Sequence, residues 1–189
     1  MPATAPPIAF GLYGKLPARG DFVRLGLPGD FVAAWDEWFA TVIAASRQLM
    51  GEDWLPAFLE APVWRFALAP GLAGAQAATG LWMPSVDRVG RYFPLTFAAI
   101  APSVAPGWLD ACEAAGRAAL IDDATPDGVL ARLPSPAPGG EPAAAGSVWW
   151  SEGGPRVAAV RLSLPLLPDP LQFAVMLGAE AAMTAETGT

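Results

Sequence analysis

The hydrophobic pattern of the first third of the chain predicts a strand followed by a long amphipathic helix. Large apolar residues alternate with small ones over residues 8–14, which is typical of a half-buried strand. Over residues 30–50 they recur instead at helical spacing, and Gly51 stands where a helix C-cap is expected. The large members of this apolar face are Phe31, Trp35, Trp38, Phe39, Val42, Ile43, Leu49 and Met50. Residues 15–28 are expected to form a loop, and residues 53–60 a short helix.

The rest of the chain alternates short apolar strands with helices. Period-two runs separated by turn residues predict strands over 64–68, 79–85, 92–100, 147–150 and 156–162. Helical patterns predict helices over 106–121, 127–133 and 169–183. Several connections are short hairpins, so we expect an α+β fold: a single domain with a mostly antiparallel sheet of about five or six strands, packed with helices.

Three segments are expected to lie outside regular structure. Residues 134–146 are rich in proline and glycine, and they predict a flexible surface loop rather than a docking motif. Residues 1–7 and 184–189 are expected to be flexible termini, which leaves residues 8–183 as the domain.

Composition limits the class of protein. Hydrophobic residues make up 53% of the 189 residues and charged residues 15%, which excludes disorder of the whole chain. The net charge of −7 argues against nucleic acid as a partner. The uncharged stretches 66–86 and 92–109 contain several prolines and glycines, which argues against direct membrane insertion. A lone cysteine, Cys112, and the absence of a recognisable secretion signal favour a cytoplasmic location.

The side chains that most enzymes and metal sites need are scarce. The chain has no histidine and one cysteine, so histidine-based catalysis and most zinc sites are excluded. No phosphate-binding loop sequence occurs, and we expect no metal, no cofactor and no enzymatic activity. One alternative stays open: Asp21 and Asp87, with the adjacent Arg19 and Arg88, could form a catalytic or anion-sensing pair. We favour ion pairs that join two loops.

Two segments, residues 14–22 and 82–95, combine glycine, proline, charged and aromatic residues. Glycine and proline alone could be explained by the shape of the turns, and the aromatic residues by packing in the core. The arginines and the lysine need another explanation, because both segments carry excess positive charge in an acidic protein. If the two loops meet at one end of the sheet, they form a protein-binding surface. Its predicted members are Lys15, Arg19, Asp21, Phe22, Asp87, Arg88 and Arg91.

Both segments, with the helix entry at residues 28–31, resemble the TagF (ImpM) family of bacterial type VI secretion accessory proteins. The resemblance covers about residues 8–109. It implies a non-enzymatic regulatory protein that represses secretion after translation. It also implies binding to a forkhead-associated (Fha) scaffold protein and a link to a threonine phosphorylation pathway.

Overall fold

A computed structural model describes residues 7–180 and has one seven-stranded antiparallel sheet. The strands are β1 (Phe10–Gly14), β2 (Val23–Leu25), β3 (Trp64–Leu68), β4 (Ala78–Met83), β5 (Leu95–Ala99), β6 (Ser147–Ser151) and β7 (Val160–Leu164). The helices are α1 (Gly29–Met50), α2 (Trp54–Glu60), α3 (Pro106–Ile121), α4 (Pro126–Ala131) and α5 (Pro170–Met176). The strand order is β2-β1-β5-β4-β3-β6-β7, so the predicted α+β class and antiparallel sheet are confirmed.

The sheet separates two hydrophobic cores. The first contains buried residues of α1, α2 and α5, and the second contains buried residues of α3 and α4. Trp35 of α1 is fully buried in the first core, and its indole N–H donates to the Thr96 hydroxyl at 2.9 Å. Its ring centroid lies 4.7 Å from that of Phe66 on β3. The prediction that the helix over residues 30–50 packs on the core is therefore confirmed.

Strands β1 and β2 approach each other so closely that Gly11 has no room for a side chain. A Cβ atom added at Gly11 of β1 would lie 2.0 Å from the carbonyl oxygen of Leu25 on β2. Residues 15–28 were expected to form a loop, but they contain β2, which pairs with β1, so this part of the prediction is wrong. Three residues are too few for a period-two pattern to be visible, which explains why the sheet has seven strands rather than five or six.

Two element boundaries near the C-terminus also differ from the prediction. β7 starts at Val160 rather than residue 156, because a turn closed by the Gly154 N–H and the Val157 carbonyl at 2.8 Å delays the strand. α5 ends at Met176 rather than residue 183, because Gly178 adopts a left-handed φ of 100° that stops the helix. The predicted helical residues 181–183 and the termini 1–6 and 184–189 lie outside the described residues.

The proline- and glycine-rich segment 134–146 is irregular, as predicted, and it packs against the start of α3. The Trp108 indole N–H donates to the Pro134 carbonyl, and the Ala105 N–H donates to the Ala137 carbonyl, both at 2.9 Å. In the part of the chain that the structure describes, no helix combines the length and apolar character that a membrane span requires.

Candidate functional site

The loop after β1 and the loop before β5 meet at one end of the sheet. β1 and β5 are antiparallel neighbours, with Gly14 paired to Leu95, so the loops that follow and precede them lie side by side. The Arg88 backbone N–H donates to the Arg19 carbonyl at 2.8 Å. The Arg91 guanidinium donates to the Gly20 carbonyl at 2.6 Å. The two loops therefore lie together at this end of the sheet.

A buried ion pair lies beneath these loops. The Lys15 ammonium and the Asp87 carboxylate are 2.8 Å apart, and their side chains are 6% and 0% exposed. The same ammonium lies 4.9 Å from the ring centroid of Phe22, within range of a cation–π contact. The Ser85 hydroxyl donates to the Lys15 carbonyl at 2.6 Å. Lys15 thus joins both loops through its side chain and its backbone.

Four donors from neighbouring residues fill the hydrogen-bonding capacity of the Asp87 carboxylate. One oxygen accepts from the Lys15 ammonium at 2.8 Å and from Nε of Arg91 at 2.7 Å. The other accepts from the backbone N–H groups of Val89 and Arg91 at 3.0 and 2.9 Å. Burial alone raises the pKa of Asp87, but these hydrogen bonds outweigh it and hold the pKa well below its ordinary value. Asp87 is therefore ionised and inaccessible.

An aromatic group supports the exposed side of the first loop. The Phe22 ring is 45% exposed, stacks on Tyr13 at 5.8 Å and meets the edge of Phe93 at 4.9 Å. The Tyr13 hydroxyl donates to the Asp36 carboxylate on α1. Burial, with the hydrogen bond to Asp36, raises the pKa of Tyr13 well above its ordinary value. Phe22 is consequently held in place while half of its surface stays accessible.

The outer layer of the two loops carries positive charge without ion-pair partners. Arg19, Arg24 and Arg88 are exposed, and none forms an ion pair with a carboxylate of residues 7–180. Arg91 is also exposed but pairs with Asp87. The Asp21 carboxylate is exposed and accepts the Phe22 backbone N–H at 2.9 Å.

These positions divide the predicted site residues into two layers. Lys15 and Asp87 lie inside and connect the loops, whereas Arg19, Asp21, Phe22, Arg88 and Arg91 are exposed. We call the exposed residues, together with Arg24, the loop surface.

Arg24 belongs to this surface although the sequence analysis did not assign it. Arg24 lies on β2, which was predicted to be part of a loop. Its position beside the other residues of the surface follows from the pairing of β2 with β1, which places Arg24 opposite Tyr13. The signal was present in the excess positive charge of residues 14–26, which carry Lys15, Arg19 and Arg24 against Asp21.

A shallow depression of about 330 Å³ lies along the first loop and β2. Arg19, Asp21 and Arg24 line it, together with Pro126 and Asp127 at the start of α4. Asp87 is not among the lining residues, so Asp21 and Asp87 do not share this cavity. Within residues 7–180, no three or more acidic or cysteine side chains are grouped closely enough to hold a metal ion.

These observations define a single-domain α+β protein with a cationic, aromatic loop surface above a filled ion-pair network. The chain belongs to the TagF family: the family model described as TagF N-terminal domain, type VI secretion system-associated, matches residues 11–133. The matched region contains both loops.

A solved structure resembles nearly the whole chain. It is the crystal structure of PA0076 from Pseudomonas aeruginosa PAO1, which is 36% identical with a TM-score of 0.81. The alignment covers 92% of this chain and 96% of PA0076. Because this coverage exceeds the family match, the similarity of fold extends past residue 133. None of the curated proteins compared with this chain matches it.

Proposed function

We propose that this chain is a non-enzymatic, cytoplasmic regulator of a type VI secretion system. It represses secretion after translation by binding a forkhead-associated scaffold protein through the loop surface. Membership in the type VI secretion system-associated TagF family supports the secretion context. The observation that carries the binding role is the exposed Phe22 ring on the same loop surface as arginines that form no ion pair with a described carboxylate.

The chemistry of the loop surface fits an acidic or phosphorylated partner. Arginine has a planar set of donors that suits carboxylate and phosphate oxygens. Arg19, Arg24 and Arg88 need not break an ion pair with a described residue before they bind, and the Arg88 guanidinium already donates one hydrogen bond to the Ala18 carbonyl. An aromatic anchor surrounded by charged residues is a typical centre of a protein interface.

The interior layer keeps this surface preorganised. The Lys15–Asp87 pair and the backbone hydrogen bond from the Arg88 N–H to the Arg19 carbonyl at 2.8 Å hold the two loops in one arrangement. A preorganised surface loses less conformational entropy on binding, so more of the contact energy contributes to affinity.

Repression by binding follows from a shift of populations. A regulator that binds one state of a scaffold more tightly than another raises the population of the favoured state. We propose that the chain favours the state of the scaffold that cannot support assembly, and that its effect is limited by the difference between the two affinities.

The alternative function, an enzyme or anion sensor that uses Asp21 and Asp87, has less support. Asp87 has no exposed side-chain surface and already accepts four hydrogen bonds. A general acid or base must reach its substrate and exchange a proton near the working pH. The lowered pKa and the burial of Asp87 are unfavourable for both requirements.

The test of this proposal is repression in a cell that secretes through a type VI system. We expect overproduction of the wild-type chain to reduce secretion, and Arg19→Glu with Arg88→Glu to restore it at equal protein abundance. Arg132→Glu, an exposed arginine at the end of α4, is the matched control and should repress normally. Full repression by the double variant would refute the role of the loop surface.

A further inference from the structure

A second cavity, of about 270 Å³, lies away from the loop surface and shares no residue with it. It is bounded by the start of α3, by β3, β6 and β7, and by the proline- and glycine-rich loop 134–146. Its volume approaches that of typical small-ligand sites, which begin at about 300 Å³.

Apolar side chains form one part of this cleft. Pro106 and Leu109 come from the start of α3, Val104 from the segment just before it, and Trp150 from β6. Trp150 is half-buried and packs against the second core, on the face of β6 opposite to Trp149, which belongs to the first core. A cleft with an aromatic wall suits the apolar body of a small ligand.

Two arginines line the same cleft, and they differ in availability. The Arg65 side chain is 12% exposed, and its guanidinium donates to Asp110 at 2.8 Å and to Glu113 at 3.0 Å. The Arg161 side chain is 50% exposed; its guanidinium lies 5.4 Å from the Trp150 ring centroid and forms one ion pair with a described residue, Glu141. That pair is long, at 3.4 Å, and the Glu141 side chain is 87% exposed. Such a pair contributes little and is easily replaced.

Glu141 is held near the cleft by the loop that carries it. This loop is fixed to the start of α3 by the hydrogen bonds of Trp108 and Ala105 described above. A Cβ atom at Gly139 would lie 3.0 Å from the Cα atom of Ala105, so the backbones are in close contact. The loop therefore places a carboxylate of the chain itself beside Arg161.

We propose that this cleft binds a small molecule with an apolar body and a single carboxylate. The ligand carboxylate replaces Glu141 at Arg161, and the apolar body contacts Trp150 and the start of α3. Glu141 acts as an internal competitor for the same guanidinium. Arg65 joins β3 to α3 through its ion pairs with Asp110 and Glu113, and it does not supply the charge that binds the ligand.

The direct test is a titration of the full chain with 3-phenylpropionate, followed by two-dimensional NMR. The uncharged 3-phenylpropionamide is the matched ligand control. We expect saturable shifts of the Ser103, Gly140 and Trp150 amides, with a Kd of about a few millimolar for so small a ligand. The amide analogue should bind about fivefold more weakly, because it lacks the charge that Arg161 recognises.

Two variants test the opposing roles of Arg161 and Glu141. Arg161→Gln should remove the preference for the acid over the amide, whereas Glu141→Gln should tighten acid binding about twofold to fivefold. Arg132→Gln, an exposed arginine outside the cleft, should leave both affinities unchanged.

Three results would overturn the proposal, and two of them need no variant. One is the lack of saturation of the cleft amides at about 20 mM acid, well above the expected Kd. Another is equal binding of acid and amide by the wild-type chain. The third is weaker acid binding by Glu141→Gln, since a competitor cannot assist the ligand it competes with.

Discussion

The inner and outer layers of the two loops contain the same kinds of side chain in opposite states. Inside, Lys15 and Asp87 are buried, paired and surrounded by further hydrogen bonds. Outside, Arg19 and Arg88 are exposed and form no ion pair with a described carboxylate. Residues of the two layers can be neighbours in the sequence, as Asp87 and Arg88 are.

The difference shows that charge in a sequence does not by itself distinguish a structural role from a binding role. A buried charge must be paired within the fold, because leaving it alone in the interior is very costly. An exposed arginine keeps its hydration and carries no such requirement. We therefore expect changes in the inner layer to affect stability, and changes in the outer layer to affect binding.

The largest effect is expected from breaking the inner layer. Lys15→Met keeps an apolar stem but removes the ammonium from Asp87, which costs roughly 3 kcal/mol of unfolding free energy. In a chain of this size, that loss lowers Tm by about 6–12 °C in a thermal unfolding experiment. Arg117→Met is the control, since it removes an ion pair from a side chain that is 63% exposed, and it should cost less than about 1 kcal/mol. Equal losses would contradict the distinction between layers.

The next effect concerns the outer layer alone. Arg88→Glu removes a central cation from the loop surface and should weaken scaffold binding by about 2 kcal/mol, or roughly thirtyfold. Its Tm should change by no more than about 3 °C, because the described side-chain contact that is lost is one hydrogen bond to the Ala18 carbonyl, and the backbone hydrogen bond to Arg19 does not depend on the side chain. Calorimetric titration and thermal unfolding of the same sample measure both quantities. A Tm of Arg88→Glu that falls further than this below the wild-type value would show that Arg88 belongs to the inner layer.

A smaller loss of stability is expected from a change at Tyr13, on which the Phe22 ring stacks. Tyr13→Phe removes the hydrogen bond to Asp36 and should cost about 1 kcal/mol near neutral pH. The raised pKa of Tyr13 also predicts an alkaline effect: the unfolded tyrosine ionises near pH 10, whereas the folded one stays protonated. Stability from this group is present below pH 10 and is lost as the pH rises beyond it. The Phe variant should lack that part of the loss in denaturant titrations across this pH range.

The smallest expected effect is on how the stability of the protein depends on pH in the acidic range. Folding lowers the pKa of Asp87, so its contribution to stability is present above the ordinary carboxyl pKa of about 4 and is lost as the pH falls below it. Asp30 contributes in the same direction, because the N–H groups of Ala75 and Phe31 lower its pKa. Asp87→Asn should be less stable at neutral pH but should lose less further stability between about pH 5 and pH 2. A slope equal to that of the wild type would contradict the assignment.

Much of the fold could be predicted because periodicity reports burial directly. The spacing of Trp35 and Phe39 identified α1, and α3 was predicted with the bounds that it has, Pro106–Ile121. β2 could not be predicted, because a three-residue strand depends on its partner β1 and on the close approach at Gly11. Local sequence contains neither piece of information.

For the candidate site, the sequence identified the segments but not the layers. The charges of the two segments showed that Lys15, Arg19, Arg88 and Arg91 need an explanation beyond turn geometry. Which of them are buried depends on a contact between residues 72 positions apart, Lys15 and Asp87. That contact exists because β1 and β5 are neighbours in the sheet, a long-range pairing that no local pattern specifies.

The affinity of the Arg19→Glu, Arg88→Glu double variant for the forkhead-associated scaffold protein tests the central claim most directly. It should be measured by calorimetry at physiological salt beside the wild type and Arg132→Glu, with Tm recorded for each. We predict a loss of at least about thirtyfold for the double variant, unchanged affinity for the control, and Tm values within about 3 °C of the wild type. Wild-type affinity of a folded double variant would contradict the claim that the loop surface binds the scaffold.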